Sequence, residues 1–283
     1  MKELFFAFLA FVSCAHAQSS GLFAFDNAVG RGQWKPEQQA ATLKELGYDG
    51  ISYNYTKPKD LAVWLKVFKA QGLRIFGLYV HTFPDKEQTY DPAFKEAIAM
   101  LKGTDTVIWM TLRETKDKKR NYDAESVAIV HDLAAQAASN NLRVAIYPHA
   151  GFYVATAADA ARVAKAASRP NVGASINLCH EFLTGHGGEL DGTLRHFAPL
   201  ATLVSINGMD VAQKNYFGRL DQGDFDLAAF LKKLRAAGYQ GPIGWQGFRV
   251  DGDPRENLRL TMEAWKKLGA PAPTIAPIRQ GGQ

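Results

Sequence analysis

Arg143-Val144-Ala145-Ile146-Tyr147-Pro148-His149 and, after a helix-like stretch, Val172-Gly173-Ala174-Ser175-Ile176-Asn177-Leu178-Cys179-His180 decide the fold. Each is a short apolar run that stops on a cluster of polar side chains. The pattern returns where Ala201 to Val204 leads into Ser205-Ile206-Asn207-Gly208, and where Ile243-Gly244 leads into Trp245-Gln246, at intervals of roughly 30 residues. Runs of this length between helical stretches read as buried parallel strands. The polar groups then fall at the C-terminal ends of successive strands, where a parallel α/β barrel places its active site.

Working outward from this half, the periodicity predicts eight strand-then-helix units. Strands are expected at 22–26, 50–54, 74–81, 106–112, 143–147, 172–177, 202–206 and 242–246, with helices starting near Pro36, Asp60, Pro92, Ala124, Thr156, Leu190, Asp226 and Pro254. Several starts carry proline or an acidic residue in the first turn, where either is tolerated or favoured. Leu46-Gly47-Tyr48-Asp49-Gly50 and Ala237-Gly238-Tyr239-Gln240-Gly241 repeat one punctuation, a glycine stopping a helix before the next strand. Eight such units match a single α/β domain of (β/α)8 TIM barrel type, over residues 18–269. A doubly wound open sheet is the alternative, but Asp26-Asn27-Ala28-Val29-Gly30-Arg31-Gly32 after the first strand lacks dinucleotide-binding spacing. The tail, 270–283, is rich in proline, glycine and glutamine and reads as irregular.

Met1-Lys2-Glu3, the apolar run from Leu4 to Val12 and Ala15-His16-Ala17 before Gln18 describe a secretory signal peptide over residues 1–17. The protein is thus expected in the periplasm or outside the cell. Lipidation at Cys14 ranks second, because Phe11 is a poor residue at the start of such a cleavage box. After cleavage only Cys179 remains, so no internal disulfide is expected. No later segment approaches the length of a membrane span. The net charge of +5 is spread over helix faces, and the one dense basic run, Lys116 to Arg120, reads as a solvated loop and not a nucleic-acid patch.

Gly47-Tyr48-Asp49-Gly50-Ile51, Ala145-Ile146-Tyr147-Pro148-His149-Ala150-Gly151-Phe152, Asn171-Val172-Gly173 leading to Cys179-His180, and Gly223-Asp224-Phe225-Asp226 followed by Gly238 to Gly244 resemble the sugar phosphate isomerase/epimerase superfamily, the xylose-isomerase-like TIM barrels. The resemblance covers nearly all of the chain beyond the leader. It implies an enzyme that shuttles a proton through an enediolate, using a Glu, an Asp, a His and a Glu at the ends of the fifth to eighth strands to hold one divalent cation. Here those positions carry Tyr147, Asn177, Ser205 and Gln246. Neutral amides and hydroxyls do not neutralise a divalent charge, so no metal ligand is assigned and the cofactor stays unidentified. A slipped register would instead offer His149, His180, Glu181 and Asp210.

His149 and His180 match histidines that the family often carries beside its ligands, and each titrates near neutral pH, so they are the expected acid/base pair. Their alternative is structural, donation to a backbone carbonyl. Tyr147, Asn177 and Gln246 are expected to orient sugar hydroxyls. Asn207, His81 at the end of the third strand and Glu114 just past the fourth are further substrate-binding candidates, with a surface ion pair as the alternative for Glu114. Cys179 beside His180 is no nucleophile pair if both lie on a strand and face opposite ways. Two functions follow: an exported sugar isomerase/epimerase-like enzyme acting on a carbohydrate by proton abstraction next to a carbonyl (isomerisation, epimerisation or elimination), or a degenerate sugar-binding barrel. The DNA-repair branch of the superfamily needs several metals and access to DNA, so no nucleic-acid partner is expected.

Overall fold

Alternation along the strands sorts the side chains into two cores. Phe23, Phe25, Phe76, Val107, Trp109, Ala145, Tyr147 and Leu203 form one cluster, inside the barrel. Ala24, Val144, Ile146, Val204 and Trp245 belong to the larger one, between the strands and the helix layer. The computed structural model describes residues 21–269. The expected leader, Cys14 and the tail from Ala270 lie outside the described residues.

The chain runs β1 (Leu22–Phe25), α1 (Pro36–Leu46), β2 (Gly50–Asn54), α2 (Pro58–Ala70), β3 (Arg74–Thr82), α3 (Phe94–Met100), β4 (Val107–Leu112), α4 (Asp123–Ala138), β5 (Arg143–Ile146), α5 (Ala157–Ala167) and β6 (Val172–Asn177). It continues through α6 (Leu178–Leu183), α7 (Leu190–Phe197), β7 (Ala201–Ile206), β8 (Gly208–Asp210), β9 (Asn215–Gly218), α8 (Leu227–Ala236), β10 (Ile243–Trp245) and α9 (Pro254–Lys267). Eight of the strands close a parallel barrel in the order β1-β10-β7-β6-β5-β4-β3-β2, a single (β/α)8 TIM barrel. Pairing runs Ala145 with Gly173, Asn177 with Ser205 and Ser205 with Gly244, so the strand ends of the second half lie side by side.

Local chemistry sets the boundaries. Proline occupies the first turn of α1, α2 and α9. Thr156 and Asp159 form a capping box on α5, and Asp226 and Asp253 cap α8 and α9. Gly47 ends α1 at φ 87, a left-handed conformation a Cβ would disfavour. Inside the barrel, Phe23 stacks on Phe76 at 4.9 Å, Phe25 meets Trp109 edge-on at 5.1 Å, and Trp109 meets Tyr147 at 4.8 Å. A Cβ on Gly77 would sit 2.8 Å from the Trp109 ring, so glycine makes room for this aromatic floor.

Most expected boundaries fall within one or two residues of the observed ones. Two additions were not expected from periodicity. The antiparallel pair β8–β9 follows the seventh barrel strand, and α6 follows β6 without a loop. The second addition corrects the reading of Cys179 and His180 as strand neighbours: both stand in the first turn of α6, with Asn177 as its N-cap. Among the described residues no helix is long and apolar enough to cross a membrane.

Candidate active site

The C-terminal strand ends surround a cavity of about 520 Å³, within the range of small-molecule sites. His81, Tyr147, His149, His180 and Gln246 line it, as expected, together with Asp26, Arg31, Tyr79, Arg113 and Arg249, which sequence reasoning did not select. Asp26 is the only carboxylate among the lining residues. It directly follows β1, so the strand-end rule that selects His149 also points to it. Phe217, Phe248 and Arg249 arrive from the segments after β8 and β10.

His149 and His180 pack against each other, their ring centroids 4.1 Å apart and their planes tilted by 40°. His149 also stacks on Phe152 at 4.1 Å, and the Arg113 guanidinium lies 4.2 Å over the far face of that ring. Arg113, Phe152, His149 and His180 thus form one column with its charge at the outer end. The backbone of one residue, Ala150, fixes both imidazoles through its N–H and its carbonyl. His149 Nδ1 donates to the Ala150 carbonyl at 2.9 Å, and the Ala150 N–H donates to His180 Nδ1 at 3.2 Å. By hydrogen-bond assignment, His149 carries its proton on Nδ1 and has a bare Nε2, whereas His180 is bare at Nδ1 and carries N–H at Nε2. The carbonyl contact is the structural alternative for His149, and it coexists with a free second nitrogen. His180 Nε2 is buried without a partner among the described residues.

Burial holds both imidazoles below their ordinary value of 6.5, His180 well below it, with Arg113 adding to the effect at His149 and His149 at His180. His81 falls to about 4, chiefly by burial and then by the charge of Arg113. Its Nδ1 meets Thr111 Oγ1 at 3.0 Å while Arg113 donates toward Nε2 at 3.3 Å. All three rings are therefore neutral near pH 7. Burial raises the Asp26 carboxyl, against the opposing pull of Arg31, with which it forms an ion pair; Asp26 Oδ2 also accepts the Asn54 N–H at 3.1 Å.

Three expected substrate contacts are placed elsewhere. Asn177 is fully buried and donates to the Tyr147 hydroxyl, which stands between it and the cavity. Asn207 is fully buried and donates to the backbone carbonyl of Gln246 at 2.7 Å. Glu114 does not line the cavity; it forms a two-pronged pair with Arg113, at 2.7 Å on each side. The Cys179 thiol, raised by burial, bridges Asn177 Oδ1 at 3.3 Å and Gln246 Oε1 at 3.2 Å. It thereby orients the Gln246 amide, leaving the NH2 for the cavity.

The residues at the family's ligand positions do not fit a hard divalent cation. Tyr147, Asn177, Ser205 and Gln246 offer no charge, and Ser205 Oγ and Asn207 Oδ1 are buried without partners among the described residues. The slipped register fares no better: Glu181 accepts the Ala157 N–H at 2.7 Å, capping α5, and Asp210 accepts the Gln213 N–H in the turn after β8. Among the described residues no group of three or more His, Cys, Asp or Glu is placed to hold a metal ion.

Solved structures share this architecture at low sequence identity. A 3-keto-D-glucoside 4-epimerase from E. coli superposes with a TM-score of 0.70 at 17% identity, over 88% of this chain and 98% of its own. An L-ribulose 3-epimerase gives 0.71 at 16% identity, over 88% and 95%. The IolI protein, solved with a bound zinc atom, gives 0.70 at 16% identity, over 88% and 96%. None of the curated protein sequences compared with the chain matches it. The family model described as xylose isomerase-like TIM barrel matches residues 40–268, and the chain belongs to that family.

Proposed function

We propose that the protein is an exported sugar isomerase/epimerase-like enzyme that abstracts a proton next to the carbonyl of a carbohydrate, with His149 and His180 in place of a metal-centred site. The two backbone contacts of Ala150 carry this reading, because they fix the two rings in complementary states. The bare Nε2 of His149 is the base. The Nε2–H of His180 is the donor to the carbonyl oxygen, a role a neutral imidazole fills without giving up its proton. As the C–H proton moves to His149, the electron pair moves through the new C=C bond onto that oxygen, which the His180 N–H then stabilises. In isomerisation the proton held by His149 passes to the former carbonyl carbon while the hydroxyl proton on the neighbouring carbon passes to the oxyanion. In elimination it protonates the departing hydroxyl as the C=O re-forms. Epimerisation requires solvent to protonate the opposite face. Arg113 and Arg31 also line the cavity, each paired with a carboxylate, Glu114 and Asp26. Tyr147 and the Gln246 NH2 orient hydroxyls, and Asp26 accepts from them.

Export is supported by the leader-like residues 1–17. The likeness to epimerases, 16–17% identical, supports the fold and leaves the substrate to experiment. In D2O, a panel of ketoses and keto-glycosides followed by NMR should show deuterium entering the carbon next to the carbonyl of at least one sugar. Saturable sugar binding with no exchange across the panel would establish the binding-only barrel instead.

A further inference from the structure

Next to the active-site cavity lies a second one of about 320 Å³, and Asp26, Arg31 and Asn54 line both. The Asp26–Arg31 ion pair is therefore a shared wall. Trp34, Tyr53 and Trp64 supply aromatic surface on the far side, and Gln39, Thr56 and Asp60 supply polar groups. Trp64 is held in place by Tyr53 at 4.6 Å and Phe68 at 5.2 Å while it also borders the cavity. A flat apolar face combined with hydrogen-bonding groups suits a sugar ring, whose C–H face stacks and whose hydroxyls donate and accept.

The second, independent observation is Gln39. It is only 3% exposed, its Nε2 donates to the Trp34 carbonyl at 3.1 Å, and this leaves Oε1 buried with no partner among the described residues. Native proteins seldom leave such an acceptor unpaired, since an unmade buried hydrogen bond is costly. A hydroxyl donor would satisfy it and a purely apolar group would not. An anionic unit fits poorly, because Asp26 and Asp60 outnumber Arg31, which is already paired.

We propose that this cavity is a subsite for a second sugar ring, so that the substrate is a glycoside whose reacting ring occupies the first cavity and whose neighbouring ring lies against Trp64. This rests on the carbohydrate reading of the first cavity. Calorimetry on the whole chain, comparing α- and β-linked disaccharides with their component monosaccharides, tests it. At least one disaccharide should bind about tenfold tighter than either component. Val63 is 44% exposed on α2 and borders only the second cavity, so Val63→Arg fills that space from a surface position. It should reduce disaccharide affinity to the monosaccharide level while monosaccharide affinity holds. Gln39→Met should weaken the disaccharide alone. Equal binding of one- and two-ring sugars by the natural protein, or a Val63→Arg effect on both or neither, would overturn the subsite and leave the first-cavity reading intact. A phenyl glucoside binding as tightly as the best disaccharide would overturn the assignment to a sugar ring. Absence of binding by any sugar would overturn both proposals.

Discussion

Which nitrogen of each imidazole holds hydrogen governs what the pair can do, and the Ala150 backbone N–H and carbonyl set both. His149→Gln removes the base and His180→Phe removes the oxyanion donor. Each should slow exchange at the sugar carbon by about 100- to 10,000-fold, with the far-UV circular dichroism unchanged. Normal turnover in both variants would remove the pair from the mechanism. Because the folded His149 lies below its ordinary 6.5, its basic form persists into mildly acidic solution, and the rate should fall only as pH drops through that depressed value. An acid limb above pH 6.5 would contradict the assignment. The histidines were legible in the sequence because each follows an apolar run at a strand end. Asp26 obeys the same rule, but the sequence reading takes it only as the end of the first strand, leading into a turn without dinucleotide spacing. Asn177 and Asn207 also stand at strand ends, yet Tyr147 covers one and the Gln246 backbone engages the other. Such layering depends on partners roughly 30 to 40 residues away, as the separations of these contacts show, and strand position alone does not reveal it.

Among the elements, α6 joins the site to the helix layer. Its Glu181 is 1% exposed, caps α5 through the Ala157 N–H, and is raised to about 7, mostly by burial. His186 opposes the rise, while Asp159 and Glu189 add to it. A carboxyl raised in the folded state favours folding fully below its ordinary 4.5, and that contribution is lost as pH rises through about 7. Glu181→Gln keeps an acceptor for Ala157 and removes the titration. Its melting temperature should therefore vary less between about pH 5 and pH 8 than that of the natural chain; an unchanged pH dependence would show that the carboxyl does not titrate there. The barrel strands were legible from their apolar runs and glycine punctuation. Helix α6 was not, because six residues directly after a strand carry too little periodicity to separate from it. The short β8–β9 pair escaped for the same reason, its strands being three and four residues long.

For the whole molecule, eight repeats of one alternation made the closed barrel readable, since a single miscounted strand would leave the others in register. The cavity walls were less readable because Asp26, Arg113, Phe152 and Phe248 meet only after closure brings β1 beside β10. The proposed export predicts an intact mass beginning at Gln18 for the protein recovered from its native host; a retained Met1 would contradict it, and a lipidated Cys14 would make it a membrane-anchored lipoprotein. Central to the account is a proton transfer carried by neutral histidines where relatives of this fold are expected to use a divalent cation. The most direct test is the deuterium-exchange rate of the responsive sugar before and after exhaustive chelation, with the metal content measured in parallel. The account predicts the same rate in both samples and no gain on adding manganese, magnesium or zinc; exchange that vanishes on chelation and returns with a stoichiometric metal would contradict it.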